Sequence, residues 1–342
     1  MILIKRCFIA ITLISLSMTI FSCSLNNKEN TTKSDSSSSV GIVENSSEKS
    51  DKNNSSENEE TLYDSTDISK AYLKGDSSGL DDFQKKIYEK ASEIISDNIN
   101  DSMTDYEKEL AVHDYLISHC TYDDNHLLVF ERHDENSVNP YGALINGKAI
   151  CSGYTTSFQM FMDMLKIPCK SIKASDKSGE DHAWNMVKIN GEWYYVDVTW
   201  DDPVPDYEGR LITHSYFNVT EDIMKKEHEW NSSDYPKANS IECSYVNRSL
   251  KNVSDISGIG NLLKQTKKTM SDTLYVEFDK ALNVNISELV EDDDMIDVES
   301  KLPELNKIIE KFQSENNCLV ICSPEKDGNK TVLKMEIAEI QE

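Results

Sequence analysis

Residues 147–200 constrain the fold more than any other part of this chain. They begin with GKAICSGYTTSFQMFMDML and end with DHAWNMVKINGEWYYVDVTW. The first part predicts a half-buried helix with Cys151 in its first turn, because apolar residues recur at helical spacing at Tyr154, Phe158, Phe161, Met162 and Leu165. Unpaired backbone N–H groups at a helix start stabilise a thiolate, the nucleophilic form of cysteine. Cys151 is therefore the candidate nucleophile, and Gly153 allows a second backbone or a substrate to come close.

The second part of this stretch predicts a β-hairpin. Residues 183–189 and 193–199 are rich in β-branched and aromatic residues. Asn190-Gly191 lies between them and is the preferred two-residue type I′ turn. This turn fixes the register, with Ile189 opposite Glu192.

The predicted register brings a histidine and an aspartate onto one face. Counting back from the turn places Trp184 opposite Asp197 and His182 opposite Thr199, so His182 and Asp197 become diagonal neighbours. Such neighbours lie roughly 7–8 Å apart at Cα, a gap that two side chains can bridge with a hydrogen bond. A lone cysteine or histidine is more often structural than catalytic, but the order Cys, His, Asp with a shared face favours covalent acyl transfer.

Three motifs in this stretch resemble the transglutaminase-like superfamily, whose fold is papain-like. They are GKAICSGY around Cys151, DHAWN around His182 and VDVTWD around Asp197. The resemblance extends to HDYLISHCTYD (113–123) and YFNVTEDIMKKEHEW (216–230). It implies a Cys151, His182, Asp197 triad, and it leaves the reaction open, since similar domains include protein cross-linkers, amidases, peptidases and inactive members.

The N-terminus predicts export and a lipid anchor. Lys5 and Arg6 precede a short apolar run, 8–21, which has the layout of a secretory signal. The run leads to Cys23 and resembles a bacterial lipoprotein signal, although the bulky Phe21 departs from the usual small residue; an ordinary signal peptide or a short anchor is the alternative. The Ser-, Asn-, Lys- and Glu-rich segment that follows predicts a disordered tether with a reach of roughly 35 Å.

Between the tether and Cys151 the pattern predicts two helices. Apolar residues from Phe83 to Ile95 form the stripe of the first, and a Thr104 to Glu107 capping box precedes the second. His113 lies on the apolar side of the second helix, which favours a hydrogen-bonded core histidine over a second catalytic one.

After the hairpin, the pattern predicts a strand at 216–219 and a helix that begins after Thr220 and ends near Trp230. Beyond a change in composition, a small α+β unit is predicted. Its strands are 273–278, 318–322 and 331–337, and its helix is 303–312 with Pro303 at the start. Nothing in this unit suggests chemistry.

Charge and cysteine content limit the partners. The net charge of −26 lies almost entirely in residues 63–342, and without a basic patch we expect no nucleic-acid binding. Acids at Asp201 and Asp202 border the predicted cleft, and acidic clefts favour cationic substrates. Solvation of an extracellular surface is nevertheless the favoured explanation of the charge. A Cys120 to Cys169 disulfide is conceivable, but Cys318 and Cys322 are too far apart on one strand to pair. No Cys/His set has zinc spacing, so we predict no metal and no cofactor.

Taken together, the sequence predicts an α+β protein with a papain/transglutaminase-like core, the nucleophile on a helix N-terminus and the His and Asp on an antiparallel sheet. The predicted division is signal peptide 1–22, lipidated Cys23 and tether 23–66, catalytic domain 67–240, linker 241–270 and small α+β domain 271–342. The expected activity is thioester chemistry on protein or peptide amides at a membrane surface, with a cell-wall or surface protein as a possible substrate. The alternatives are a cysteine peptidase or a non-catalytic binding module.

Overall fold

A computed structural model describes residues 61–123, 134–202, 212–267, 273–290, 296–327 and 330–339. The predicted signal peptide, Cys23 and nearly all of the predicted tether lie outside these residues. At the end of the predicted tether, Ser65 is buried and Tyr63 packs edge-on against Phe83. The packed part of the chain therefore begins before residue 67.

In the described part of the chain, three α-helices precede the nucleophile: α1 (Thr66–Lys74), α2 (Asp82–Asn98) and α3 (Asp105–His119). Capping boxes start α2 and α3, and the one at Thr104 is the box that the sequence predicted. The sequence pattern does not predict α1, because its buried face holds only Ile68, Ser69 and Ala71, too few large apolar residues to show periodicity.

Helix α4 (Cys151–Met164) is the centre of the first core. Its side chains at Tyr154, Phe158 and Phe161 are almost completely buried. Two short parallel strands lead into it, β1 (Thr121–Tyr122) and β2 (Lys148–Ala149). A π-helical turn, Gly142–Asn146, precedes β2.

An antiparallel sheet packs against α4 with strand order β5-β4-β3-β6. Its strands are β3 (Cys169–Asp176), β4 (Asp181–Ile189), β5 (Glu192–Val196) and β6 (His228–Glu229). The predicted turn is confirmed: Ile189 pairs with Glu192, and Asn190 and Gly191 have φ of 52° and 90°.

The chain beyond β5 differs from the prediction in three places. The second hairpin strand ends at Val196, and α5 (Val198–Asp201) follows at once. The predicted strand 216–219 is reduced to one bridge between Tyr195 and Val219, because Asn218 has a left-handed φ of 55° that ends extended structure.

The third difference concerns the segment after Thr220. Thr220 caps a helix as predicted, but this helix, α6 (Glu221–Met224), ends well before Trp230. Strand β6 occupies the place where the prediction continued the helix.

A second sheet forms the C-terminal part, with strand order β7-β8-β10-β9. Its strands are β7 (Lys251–Val253), β8 (Thr273–Phe278), β9 (Cys318–Asp327) and β10 (Lys330–Glu339). The helices of this part are α7 (Tyr245–Ser249), α8 (Ile259–Thr266), α9 (Val298–Lys301) and α10 (Pro303–Asn316). The strand expected at 273–278 and the helix expected to begin at Pro303 are present.

The predicted linker 241–270 is more structured than expected. It contains α7, β7 and α8, and β7 pairs in parallel with β8. Ile259 and Leu263 of α8 are fully buried in the second core. A three-residue strand and a helix with two deeply buried residues are too short to produce a clear hydrophobic period.

The fold class is α+β, as predicted. Tyr245 of α7 lies between the first core and strand β8, since it stacks on His214 at 3.7 Å and packs edge-on against Tyr275 at 6.2 Å. Within the described residues, no helix is both long and apolar enough to cross a membrane.

Candidate active site

Cys151 is the first residue of α4, as the sequence predicted. Its backbone N–H is one of the first-turn groups that have no partner inside a helix. Gly153 makes the close packing of this turn possible, because a Cβ at that position would lie 2.3 Å from the backbone oxygen of Ser137. The glycine thus accommodates a second backbone segment, and the Cys151 side chain remains partly exposed.

His182 on β4 lies between Cys151 and Asp197. Its Nε2 is 2.6 Å from Asp197 Oδ2, and the Cys151 side chain lies near enough to the imidazole to contribute to its raised pKa. Because Nε2 is occupied by the carboxylate, Nδ1 is the ring nitrogen left for the thiol. The fold therefore brings the three predicted residues together.

Asp197 holds this position from a helix cap and not from a strand. It precedes α5, and its Oδ1 accepts hydrogen bonds from the backbone N–H groups of Thr199 (3.0 Å) and Trp200 (3.1 Å). The predicted pairs of Trp184 with Asp197 and of His182 with Thr199 do not form, because the ladder ends at Val196 opposite Asn185. The predicted contact between His182 and Asp197 nevertheless exists.

A second histidine, His228, also contacts Asp197. Its Nε2 lies 2.8 Å from the same Oδ2 atom, and the residue is completely buried. Sequence reasoning missed it, because it was assigned to a helix and a two-residue strand carries no alternation. Only the pairing of Asp176 with His228 brings it to the site.

The charges of His182 and Asp197 stabilise each other. Burial alone would lower the pKa of His182, but the charge and hydrogen bond of Asp197 and the contact with Cys151 raise it from 6.5 to about 10. Burial alone would raise the pKa of Asp197, but His182, and His228 after it, hold it well below its usual range. The geometry thus favours an imidazolium beside a carboxylate, with a thiol within reach of Nδ1.

Comparison with known families places these residues in one domain. Residues 93–198 match the model of the transglutaminase-like superfamily, and this range includes Cys151, His182 and Asp197. This part of the chain is therefore similar to the transglutaminase-like superfamily.

The chain is also similar to two curated proteins. Kyphoscoliosis peptidase of Homo sapiens is 28% identical over 135 residues, and that of Mus musculus is 27% identical over 136 residues. Each alignment covers 36% of this chain and 20% of the relative, so the matched segment spans about a fifth of those proteins.

Two solved structures also resemble the chain. A crystal structure of a TGase is 17% identical with a TM-score of 0.31, and it covers 49% of this chain and 44% of its own. A structure from Cytophaga hutchinsonii, assigned as a cysteine protease, is 13% identical with a TM-score of 0.27 and covers 35% and 39%.

An acidic cleft of about 310 Å³ opens beside His182. Its wall includes four carboxylates and two aromatic rings, and its lining residues are Tyr122, Asp176, Glu180, Asp181, His182, Thr199, Trp200 and Asp202. Burial, followed by the charge of Cys151, raises the pKa of Tyr122 to about 12. Of the two acids expected at the cleft, Asp202 lines it.

The other expected cleft acid, Asp201, points into the protein. Its Oδ2 lies 3.1 Å from Nε2 of His113, whose Nδ1 lies 3.0 Å from Asp114. His214 contacts the same Asp114 oxygen at 2.8 Å. His113 is completely buried, so it is the hydrogen-bonded core histidine that the sequence favoured.

Two groups of side chains have ligand atoms close enough for a metal ion: His113 with Asp114 and His214, and His182 with Asp197 and His228. In both groups the nitrogen to oxygen distances, 2.6 to 3.0 Å, are those of hydrogen bonds within the group. The hydrogen bonds alone account for both arrangements.

The described cysteines are all free thiols, so the conceivable Cys120 to Cys169 disulfide is not formed. Burial raises the pKa of Cys120 to about 12 and that of Cys169 well above its ordinary value. Cys318 and Cys322, which lie on one strand, are unpaired as expected. Cys151 therefore differs from Cys120 and Cys169 in having a histidine partner.

Proposed function

We propose that this protein is a cysteine enzyme that forms a thioester with protein or peptide amides. The observation that carries the proposal is the series Cys151, His182 and Asp197 at the edge of an open cleft, with His182 Nε2 hydrogen-bonded to Asp197 and the Cys151 thiol near the imidazole. Each member has the environment that its role requires. The thiol is at a helix start, the imidazole contacts it, and the carboxylate is fixed by two backbone N–H groups.

In the first step, the thiol proton moves to Nδ1 of His182, and the Cys151 sulfur attacks the carbonyl carbon of the amide. A C–S bond forms while the carbonyl π electrons move to oxygen. The backbone N–H of Cys151 stabilises this oxyanion. Asp197 stabilises the imidazolium through the 2.6 Å contact with Nε2.

The intermediate then collapses and the C–N bond breaks. His182 returns its proton from Nδ1 to the departing nitrogen, which leaves as ammonia from a carboxamide or as an amine from a peptide bond. The acyl group remains on Cys151 as a thioester. In the second step His182 removes a proton from the incoming amine or water, and the Cys151 thiolate departs.

The nature of the incoming group decides the reaction. An amine gives cross-linking and water gives deamidation. Water acting after attack on a peptide bond gives proteolysis, and the similarity to proteins named Kyphoscoliosis peptidase favours peptidase activity as the second candidate. The acidic lining supports substrates that carry a positive charge near the amide.

For location, we propose the outer face of a bacterial cytoplasmic membrane, with lipid on Cys23 and the segment that follows as a tether. A basic pair and an apolar run before Cys23 support this assignment. Cell-wall or surface proteins are then the accessible substrates. Mass spectrometry of the mature protein should find a lipidated N-terminal Cys23; an unmodified Cys23 or a retained Met1 would refute the anchor.

The activity is tested by incubating the purified protein with a glutamine-containing donor peptide and a labelled primary amine. Amine incorporation, deamidation and peptide cleavage are measured in the same samples by mass spectrometry. We expect one of the three products with the wild type and none with Cys151→Ala. An identical product yield from Cys151→Ala would exclude the proposed chemistry.

The alternative of a non-catalytic binding module predicts a different thiol reactivity. An activated Cys151 should be alkylated at pH 6 much faster than Cys120 or Cys169, whose thiols are kept protonated by burial. Equal alkylation rates in the native protein would favour the binding module.

A further inference from the structure

Two histidines contact the same oxygen of Asp197. Nε2 of His182 is 2.6 Å from Oδ2, and Nε2 of His228 is 2.8 Å from it. The reaction proposed above uses only His182. His228 is therefore a buried imidazole in direct contact with the catalytic group and without a role in it.

The surroundings of His228 fix its ring. The residue is 0% exposed and belongs to β6, where it pairs with Asp176 of β3. Its ring centroid lies 4.2 Å from that of Trp200, 4.8 Å from that of Trp184 and 5.5 Å from that of Tyr216. An imidazole enclosed in this way has no room to leave Asp197.

The hydrogen-bond pattern assigns the proton of His228 to Nε2. Its Nδ1 is buried and has no hydrogen-bond partner within the described part of the chain. A proton on Nδ1 would be a buried donor without an acceptor, whereas a proton on Nε2 is donated to Asp197. His228 is thus a neutral donor to Asp197.

We propose that His228 is a positioning residue that withdraws charge from Asp197 and so limits how tightly Asp197 holds the proton on His182. This inference rests on the proposed function. His182 must hold a proton to form the ion pair with Cys151 and must release it to the departing nitrogen. A carboxylate shared between two donors stabilises the imidazolium less than a carboxylate with one donor, and this favours release.

Asp197 keeps its position when His228 is changed, because its Oδ1 still accepts hydrogen bonds from the N–H groups of Thr199 and Trp200. Loss of the His228 donor should therefore concentrate negative charge on the oxygen that faces His182. The other titratable groups that face His182 or Asp197 stay the same in all variants; they are Cys151, Tyr122, Tyr216, Asp176, Glu180, Asp181 and Asp202.

The test compares His228→Phe, which fills the aromatic enclosure without a donor, with His228→Gln, whose amide can donate to Asp197. His214→Phe is the matched control, since His214 is also buried and donates to an aspartate at 2.8 Å, but that aspartate is Asp114. Iodoacetamide alkylation of Cys151 is followed by mass spectrometry across pH. The plot of alkylation rate against pH should show two inflections. The thiolate–imidazolium pair forms at the lower one, and His182 loses its proton at the upper one.

We expect His228→Phe to widen this interval, with the lower inflection moving down and the upper one moving up by roughly half a pH unit to one unit each. His228→Gln should restore the wild-type interval, and His214→Phe should leave it unchanged. With the substrate identified by the amine or cleavage assay, kcat of His228→Phe should fall about 10-fold with KM unchanged, because the proton transfer to the departing nitrogen is slowed.

An unchanged or narrower interval in His228→Phe overturns the proposal, whatever the loss of stability. Thermal unfolding and near-ultraviolet circular dichroism establish that each variant folds. If His228→Phe does not fold, His228→Leu is the second donor-free variant and must show the same widening. If the wild type itself shows only the single inflection of an ordinary thiol, the proposed function fails as well. Failure of the role proposed for His228 is thus distinguished from failure of the proposed function.

Discussion

Replacing Asp197 by asparagine changes one buried oxygen into a donor with almost no change in size. The new Oδ1 can still accept from the N–H groups of Thr199 and Trp200, which lie 3.0 and 3.1 Å from the present Oδ1. The new Nδ2 then faces the Nε2 atoms of His182 and His228, which both donate in the wild type.

Because the amide of Asp197→Asn would face two donating histidine nitrogens, the substitution should lower the free energy of unfolding. His182 can move its proton to Nδ1 and accept from the amide, but the same change in His228 would leave a proton on its buried Nδ1, which lacks a partner within the described residues. A buried donor without an acceptor costs about 1–3 kcal/mol, and the lost charge on Asp197 adds to this. We expect the free energy of unfolding of Asp197→Asn to fall by about 2–4 kcal/mol, measured by denaturant titration.

The effect on activity follows from the tautomer. His182 with its proton on Nδ1 points a donor at Cys151 and cannot accept the thiol proton. The same change in a serine triad costs roughly 10⁴-fold, and a thiol that ionises more easily depends less on its base, so we expect a loss of about 10 to 10³-fold in kcat/KM. Near-normal rates in a folded Asp197→Asn would refute the proposed role of Asp197, even if Cys151 and His182 proved essential.

Three further predictions concern packing, substrate charge and pH. Gly153→Ala should destabilise the protein by several kcal/mol in denaturant titration, because its Cβ would lie 2.3 Å from Ser137 O. Gly79→Ala is the control and should have little effect, because no atom lies within 4 Å of the added Cβ. Equal destabilisation by the two substitutions would contradict the packing described for Gly153. Glu180→Gln should raise KM several-fold for a lysine-containing peptide relative to a neutral one, without changing kcat; an equal change for both would exclude charge recognition. Because the pKa of His182 is raised in the folded state, its protonation stabilises the fold fully below pH 6.5 and no longer does so as pH rises to about 10. The denaturant midpoint of unfolding of the wild type should therefore fall more steeply between these pH values than that of Asp197→Asn. Parallel plots of midpoint against pH for the two proteins would contradict the pairing of His182 with Asp197.

The nucleophile and its histidine were predictable because local patterns determine them. The apolar repeat after Cys151 identifies the helix and its start, and Asn190-Gly191 fixes the hairpin register regardless of the rest of the fold. The end of the second strand was not predictable in this way. Val198 and Trp200 continue a strand-like composition, and only the capping hydrogen bonds of Asp197 turn the chain into a helix.

His228 and the Asp201 cluster were not predictable, because both depend on pairing between distant segments. His228 reaches Asp197 through a two-residue strand beside β3. Asp201 and His113 are 88 residues apart and meet only after α3 packs beside α5. No periodic pattern links either pair, so the sequence supports their individual burial but not their contact.

If Cys151 is the nucleophile, it forms a covalent acyl intermediate with the donor substrate, and this intermediate can be trapped. The protein is mixed with an excess of donor peptide, acid-quenched within the first turnover and analysed by intact-mass and peptide mass spectrometry. The account predicts a mass increase equal to the acyl group, located on the peptide that contains Cys151, removed by hydroxylamine and absent from Cys151→Ala. Substrate turnover by the wild type without any such adduct, or an adduct that persists in Cys151→Ala, would contradict it.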